Sequence, residues 1–250
     1  MQQILAITFY GILAGVVGTG LGGLFTVMLG KPKDSVLSSV LAFSGGIMLA
    51  VIFVDLLPEA LAFGSIFFVL CGLIIGVIML ALLDMYFPHS HFSHFFNEAG
   101  ERTSHFIRTS ILLCIGIAMH NLPEGLAIGA GYIASENIGI GLALIIGLHN
   151  IPEGAAIAGP MKAGQVNSSK ILLWTCLAGL PMGVGTLLGA IIGGVSNLVL
   201  ALALGVAAGA MLYVIFDELL PDAHRLADGH SATFGAVVGV ILGLLFLLNM

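Results

Sequence analysis

Residues 46–60 read GIMLAVIFVDLLPEA, and residues 209–223 read GAMLYVIFDELLPDA. At an offset of 163, ten of the fifteen positions are identical, and two more keep an acid, Asp55 over Glu218 and Glu59 over Asp222. Chance resemblance between apolar helices explains shared Leu and Val but not a shared acid-Leu-Leu-Pro-acid pattern. The two stretches are copies of one unit, and their relative direction follows from how many times the chain turns between them.

Apolar runs fall at 4–29, 36–62, 65–87, 106–132, 137–160, 170–193, 197–221 and 231–249, eight in all. A hydrocarbon core takes about 20 apolar residues per helix. The composition agrees with that solvent: of 250 residues, 59% are hydrophobic and only 8% charged, about a third of the usual soluble share. So few charges cannot cover a soluble surface, which excludes separate soluble domains. With 7 Lys+Arg and a net charge of −6, the chain has no phosphate-tracking surface either, so nucleic-acid binding is excluded. The expected fold is an all-α integral membrane protein, a single eight-helix domain over 1–250 whose one lengthy polar connector runs over 88–104. The copies lie in the second and seventh runs, an odd number of crossings apart, so they point in opposite directions.

A second repeat is sharper. His120-Asn121-Leu122-Pro123-Glu124-Gly125 stands in the fourth run and His149-Asn150-Ile151-Pro152-Glu153-Gly154 in the fifth. Neighbouring crossings are antiparallel too, so both repeats fit one pseudo-twofold axis in the membrane plane. It relates runs 1–3 to 6–8 and run 4 to run 5. Inverted repeats of this kind mark transporters, with a site near the midplane at the repeat interface.

The basic residues fix an orientation. Lys31, Lys33, Arg102, Arg108, Lys162, Lys170 and Arg225 all fall in or beside the connectors after runs 1, 3, 5 and 7. The positive-inside rule then places those connectors in the cytoplasm and both termini outside, in a multi-pass protein of the cell membrane. The first run lacks a positive leader and a cleavage pattern and is expected to be retained. Cys71, Cys114 and Cys176 have no CxxC spacing and say nothing of redox compartment. Small-xxx-small stripes such as Gly18/Gly22, Gly72/Gly76, Gly185/Gly189, Gly205/Gly209 and Gly235/Gly239 read as close helix packing.

Ionisable side chains within a membrane span mark function by default. At about 100° per residue, Glu124 lies within a turn of both His120 and Asn121. Its carboxylate can face a cation held by His120 on one side and another held by Asn121 on the other, and the same holds for His149, Asn150 and Glu153. Pro123 and Pro152 free the carbonyls of Met119 and Leu148, and Gly125 and Gly154 are expected to let the two bent helices approach each other. Two imidazoles, two carboxylates and two amide oxygens suit Zn²⁺, Fe²⁺ or Mn²⁺ better than Cu(I), Mg²⁺ or Ca²⁺.

With these motifs the whole chain resembles the ZIP (Zrt/Irt-like) divalent metal transporters, and within them the bacterial GufA-like group. The resemblance implies a binuclear metal site between helices 4 and 5. It also implies metal movement into the cytoplasm by an elevator-like slide of helices 1, 4, 5 and 6 against 2, 3, 7 and 8. Carried over, one metal position is His120, Glu124, His149 and Glu153, and the other Asn121, Glu124, Asn150 and Glu153. Family members commonly add a Glu from helix 6, where this chain has Met182, so the second position is expected to be weaker or absent.

Further pathway candidates are Asp55 and Glu59 at the outer end of the second run, and Asp84 at the inner end of the third. Asp217, Glu218 and Asp222 at the inner end of the seventh join them, with Met48 as an auxiliary. His89, His91 and His94 resemble the family's metal-collecting loop, and read equally well as solvated residues. Zinc is the expected transported substrate, with Fe²⁺, Mn²⁺ and Cd²⁺ as alternatives. No organic cofactor is expected; the bilayer is the expected surrounding, and a homodimer is left open. Two other classes compete: an intramembrane zinc hydrolase, which typically carries HExxH, absent here, and a metal exporter or sensor.

Overall fold

Proline shapes the two copies of the first repeat in the same way. The computed structural model describes residues 2–29, 33–86, 101–192 and 196–248; the helix at His149 is described but its side chain is not. Lys31, His89, His91 and His94 lie outside the described residues. Eight helices follow in chain order: α1 (Gln2–Met28), α2 (Asp34–Phe63), α3 (Ile66–Tyr86), α4 (Glu101–Ala134), α5 (Glu136–Ala163), α6 (Ser168–Ile192), α7 (Asn197–Leu226) and α8 (Ser231–Leu248). In α2 a π turn spans Ile52–Leu56, and in α7 another spans Ile215–Leu219, again 163 positions on. Each stands just before a proline, Pro58 or Pro221, which lacks a donor and crowds the carbonyl four residues back. The wider turn accommodates this, and the residue before each proline donates five residues back, Leu57 N–H to Ile52 O and Leu220 N–H to Ile215 O.

Seven of these helices are long and apolar enough to cross a membrane, and α3 contributes a shorter apolar stretch, Ile66–Leu82. Large apolar side chains such as Phe9, Phe67, Ile74, Phe234 and Leu245 point outward, while Thr19, Ser38, Ser44, Thr109, His120 and Asn121 are buried. That inversion suits a lipid solvent, in which apolar surface carries no penalty and polar groups need partners inside the protein.

The helices pack as two groups. In one, α4 lies on α6, α1 lies on α6 and α5, and α4 touches α5; in the other, α2 lies on α8 and α3 on α7, with α2 also against α7. The groups meet mainly where α4 crosses α7 and α2 crosses α5. Exchanging α1 with α6, α2 with α7, α3 with α8 and α4 with α5 leaves this pattern unchanged. The symmetry reaches single residues. Gly22 closes on the carbonyl of Ile151, and Gly185, 163 positions later, closes on that of Leu122. The glycine stripes are packing seams, as read: a Cβ at Gly72 or Gly76 would meet the α7 backbone, and one at Gly235 or Gly239 the α2 backbone.

Three expectations change. Helix α4 begins at Glu101 and not near 106, so the end of the presumed 88–104 connector is helical; α7 continues to Leu226 and not 221. Apolar runs mark the hydrocarbon part of a helix, whereas its polar end continues on local contacts. In α7 these are the Arg225 Nη1–Asp222 Oδ1 pair at 3.5 Å and the His224 Nδ1–Leu220 O contact at 2.8 Å. Third, Gly125 and Gly154 do not bring α4 and α5 together. Gly125 lies against the carbonyl of Met182 in α6, and Gly154 against that of Thr19 in α1.

Candidate metal centre

Both helices that carry the HNxPEG copies run unbroken through Pro123 and Pro152, and their polar side chains turn inward because lipid offers them nothing. His120 and Asn121 are fully buried, as is Asn150, and Glu124 and Glu153 are 3% and 2% exposed. The two carboxylates converge on one nitrogen: His120 Nε2 is 2.8 Å from Glu124 Oε1 and 3.4 Å from Glu153 Oε1. Helices α4 and α5 thus meet through the His120 imidazole and one carboxylate from each HNxPEG copy.

The two asparagines are held by a third helix. Asn121 Nδ2 donates to the carbonyl of Ala178 at 2.8 Å, and Asn150 Nδ2 donates to Met182 Sδ at 3.8 Å. Neither a carbonyl nor a thioether has a proton to give, so both amides must present their NH₂ to α6 and their oxygen elsewhere. Asn121 Oδ1, Asn150 Oδ1 and Glu153 Oε2 are buried with no hydrogen-bond partner among the described residues. Buried acceptors are almost always satisfied, and three such oxygens on the two motifs offer lone pairs suited to a cation.

Among the described residues, no three His, Cys, Asp or Glu side chains already form a metal cage. His120 Nε2 instead faces an oxygen of each carboxylate directly. Tetrahedral zinc with ligands at about 2.0–2.2 Å holds its ligand atoms about 3.3–3.5 Å apart. The Glu153 separation of 3.4 Å already has that size, and the Glu124 separation of 2.8 Å needs to open by about half an ångström.

A family profile described as ZIP Zinc transporter matches residues 88–250. The Zinc transporter ZupT of Escherichia fergusonii is 36% identical over 239 residues, 93% of this chain and 93% of that protein. The Zinc transporter ZupT of Enterobacter sp. (strain 638) is 35% identical over 248 residues, 96% of this chain and 91% of that protein. That of Escherichia coli O7:K1 is 36% identical over 234 residues, 92% of this chain and 91% of that protein. The chain belongs to the ZIP zinc transporter family. ZIP proteins are transporters and not enzymes, so the hydrolase reading is not favoured.

The remaining pathway candidates of this ZIP chain have varied settings. Met48 is fully buried in the apolar core beside Leu41 and Ile52, and Asp55 and Glu59 are half-buried. Asp217 is exposed, while Glu218 and Asp222 are each 3% exposed. Those two acids share the Thr109 hydroxyl of α4, 3.0 Å from Glu218 Oε2 and 2.9 Å from Asp222 Oδ2. Arg108 pairs with Asp84, and its Nη1 lies 3.5 Å from Glu218 Oε1, while the Tyr213 hydroxyl donates to Asp84 Oδ2 at 3.3 Å. Sequence reading counted Arg108 only toward orientation and missed Thr109 and Tyr213. No spacing rule pairs α4 with α7 across more than a hundred residues, so no local signal was available.

Proposed function

We propose that this ZIP protein imports Zn²⁺ into the cytoplasm through the site that α4 and α5 form, and that Fe²⁺, Mn²⁺ and Cd²⁺ compete for it. The observation that carries the reading is the convergence of Glu124 and Glu153 on His120 Nε2, with the oxygens of the adjoining Asn121 and Asn150 buried and without a partner among the described residues. A hydrated divalent ion loses water when it enters a buried site, and these anionic and neutral donors replace it. His120 must bind through a deprotonated nitrogen, so protons compete with the metal for it. His149 is the fourth ligand of this position, and Asn121 and Asn150 with the two carboxylates form a weaker second one.

The basic residues beside the inner connectors orient the protein with both termini outside in the cell membrane, and the chain acts as one transport domain. Asp55 and Glu59 then stand at the outer mouth, and Asp84, Asp217, Glu218 and Asp222 at the inner one. His89, His91 and His94, between α3 and α4 in the sequence, collect metal on the cytoplasmic side. The two packing groups support a carrier in which α1, α4, α5 and α6 slide as a unit against α2, α3, α7 and α8. Transport rather than sensing is favoured by the ZIP relatives, each named a zinc transporter, and the acidic outer mouth favours import.

The test is ⁶⁵Zn²⁺ uptake into proteoliposomes holding the purified protein, beside Glu124→Ala. Saturable uptake abolished by the substitution is expected, because Glu124 serves both metal positions. Undiminished uptake in the variant would remove the site from the mechanism.

A further inference from the structure

Helix α6 holds both asparagines of the site, and the twofold symmetry breaks there. Position 182 in α6 corresponds to position 19 in α1 at the repeat offset of 163, and their backbones do the same work: Gly125 closes on Met182 O, and Gly154 on Thr19 O. Their side chains differ in use. Thr19 turns its hydroxyl to main-chain oxygens, Gly15 O and Thr175 O, both at 2.8 Å. Met182 offers its sulfur to Asn150 Nδ2, while Asn121, the symmetry mate of Asn150, bonds to the α6 carbonyl of Ala178, one helical turn before Met182.

From this geometry we infer that Met182 is a positioning residue, not a metal ligand: by accepting the Asn150 NH₂ it holds Asn150 Oδ1 toward the cation. The inference rests on the proposed α4/α5 site and deepens it. Met182 is well placed for the task. It is fully buried, its carbonyl accepts the Thr186 hydroxyl at 2.8 Å, and a Cβ at Gly15 would stand 3.0 Å from its own Cβ. Its backbone and Cβ are therefore fixed, and the sulfur hangs from a fixed base. The oxygen of Asn150 has no partner among the described residues, so the contact to sulfur is what distinguishes the two orientations of that amide. A weak acceptor is adequate for this, since it has only to break the balance between an oxygen and an NH₂ that occupy equal space.

The test compares Met182→Leu, Asn150→Ala and the double variant of the full-length protein, reading Zn²⁺ and Cd²⁺ affinity by chelator-dye competition in micelles and uptake KM in proteoliposomes. Leucine conserves volume and removes the acceptor. The expected result is a Kd and KM for both ions raised about three- to tenfold, the size of one modest hydrogen bond, with maximal uptake retained. In the Asn150→Ala background, Met182→Leu is expected to change Kd by less than about twofold, because the group it positions is gone. A wild-type Kd in Met182→Leu, multiplicative effects in the double variant, or a loss confined to Cd²⁺, the sign of sulfur ligation, would each overturn the inference. Wild-type affinity in Asn150→Ala alone would instead overturn the reading of Asn150 as part of the site.

Discussion

Thr109→Val tests the contact between the two helix groups at the α7 end. A hydroxyl has one proton, so Thr109 donates to Glu218 Oε2 at 3.0 Å or to Asp222 Oδ2 at 2.9 Å, and one donor serves two buried carboxylates. A hydrogen bond to a charged group contributes about 1.5–3 kcal/mol in soluble proteins, whereas interhelical bonds in a membrane average about 0.6 and reach about 1.7 kcal/mol. Both acids are only 3% exposed, so water does not step in, which favours the upper part of the membrane range. Each keeps a longer contact, Arg108 at 3.5 Å for Glu218 and Arg225 at 3.5 Å for Asp222, which limits the loss. Valine is therefore expected to cost about 1–1.5 kcal/mol, a fall in Tm of about 2–6 °C for a chain of this length. A thiol-reactive coumarin dye reads it in a Cys71→Ser/Cys176→Ser background, because Cys114 is 7% exposed and reacts on unfolding. Thr109→Ser, which keeps the hydroxyl, is expected to stay within about 1 °C of the parent. An unshifted Tm in Thr109→Val would refute the claim that this hydroxyl holds the two acids.

Two further predictions concern the site. Gly154→Val sets a branched side chain against the Thr19 backbone, so it is expected to push α5 from α1, displace Glu153 and abolish ⁶⁵Zn²⁺ uptake. At Gly45 an added Cβ meets only side-chain atoms at 3.7–3.8 Å, so Gly45→Ala is expected to transport normally. Because protons compete with the metal for the imidazole and carboxylate ligands, KM for Zn²⁺ is expected to rise as the pH is lowered; a flat KM would count against His120 as a ligand.

Much of this was legible in residues whose chemistry is costly in lipid. The acid-Leu-Leu-Pro-acid copies located α2 and α7, and their prolines now explain the paired π turns. The HNxPEG copies singled out His120, Asn121, Glu124, His149, Asn150 and Glu153; in the structure Glu124 and Glu153 face His120 Nε2 and the two asparagines bond to α6, while the His149 side chain lies outside what is described. What stayed hidden were partners remote in sequence. Gly125 and Gly154 announce a close approach but not to which helix, because a missing Cβ has no address; the structure sends them to α6 and α1. Thr109 carries no periodic signal, and an isolated threonine on an apolar helix reads as a backbone-bonded residue until α7 is placed beside it.

The symmetry also explains why the site needs two helices that are not symmetric in detail. A strict twofold would give Asn121 and Asn150 the same environment and leave two equivalent amide oxygens. Here α6 supplies both amide acceptors, one a carbonyl fixed in the backbone and one a thioether on a side chain. Asn121 is therefore anchored by the stronger acceptor and Asn150 by the weaker. The oxygen of Asn150 is thus the more easily turned of the two. In the proposed site a cation thus meets one rigid and one yielding amide oxygen, and the yielding one, Asn150 Oδ1, is the easier of the two to withdraw from it.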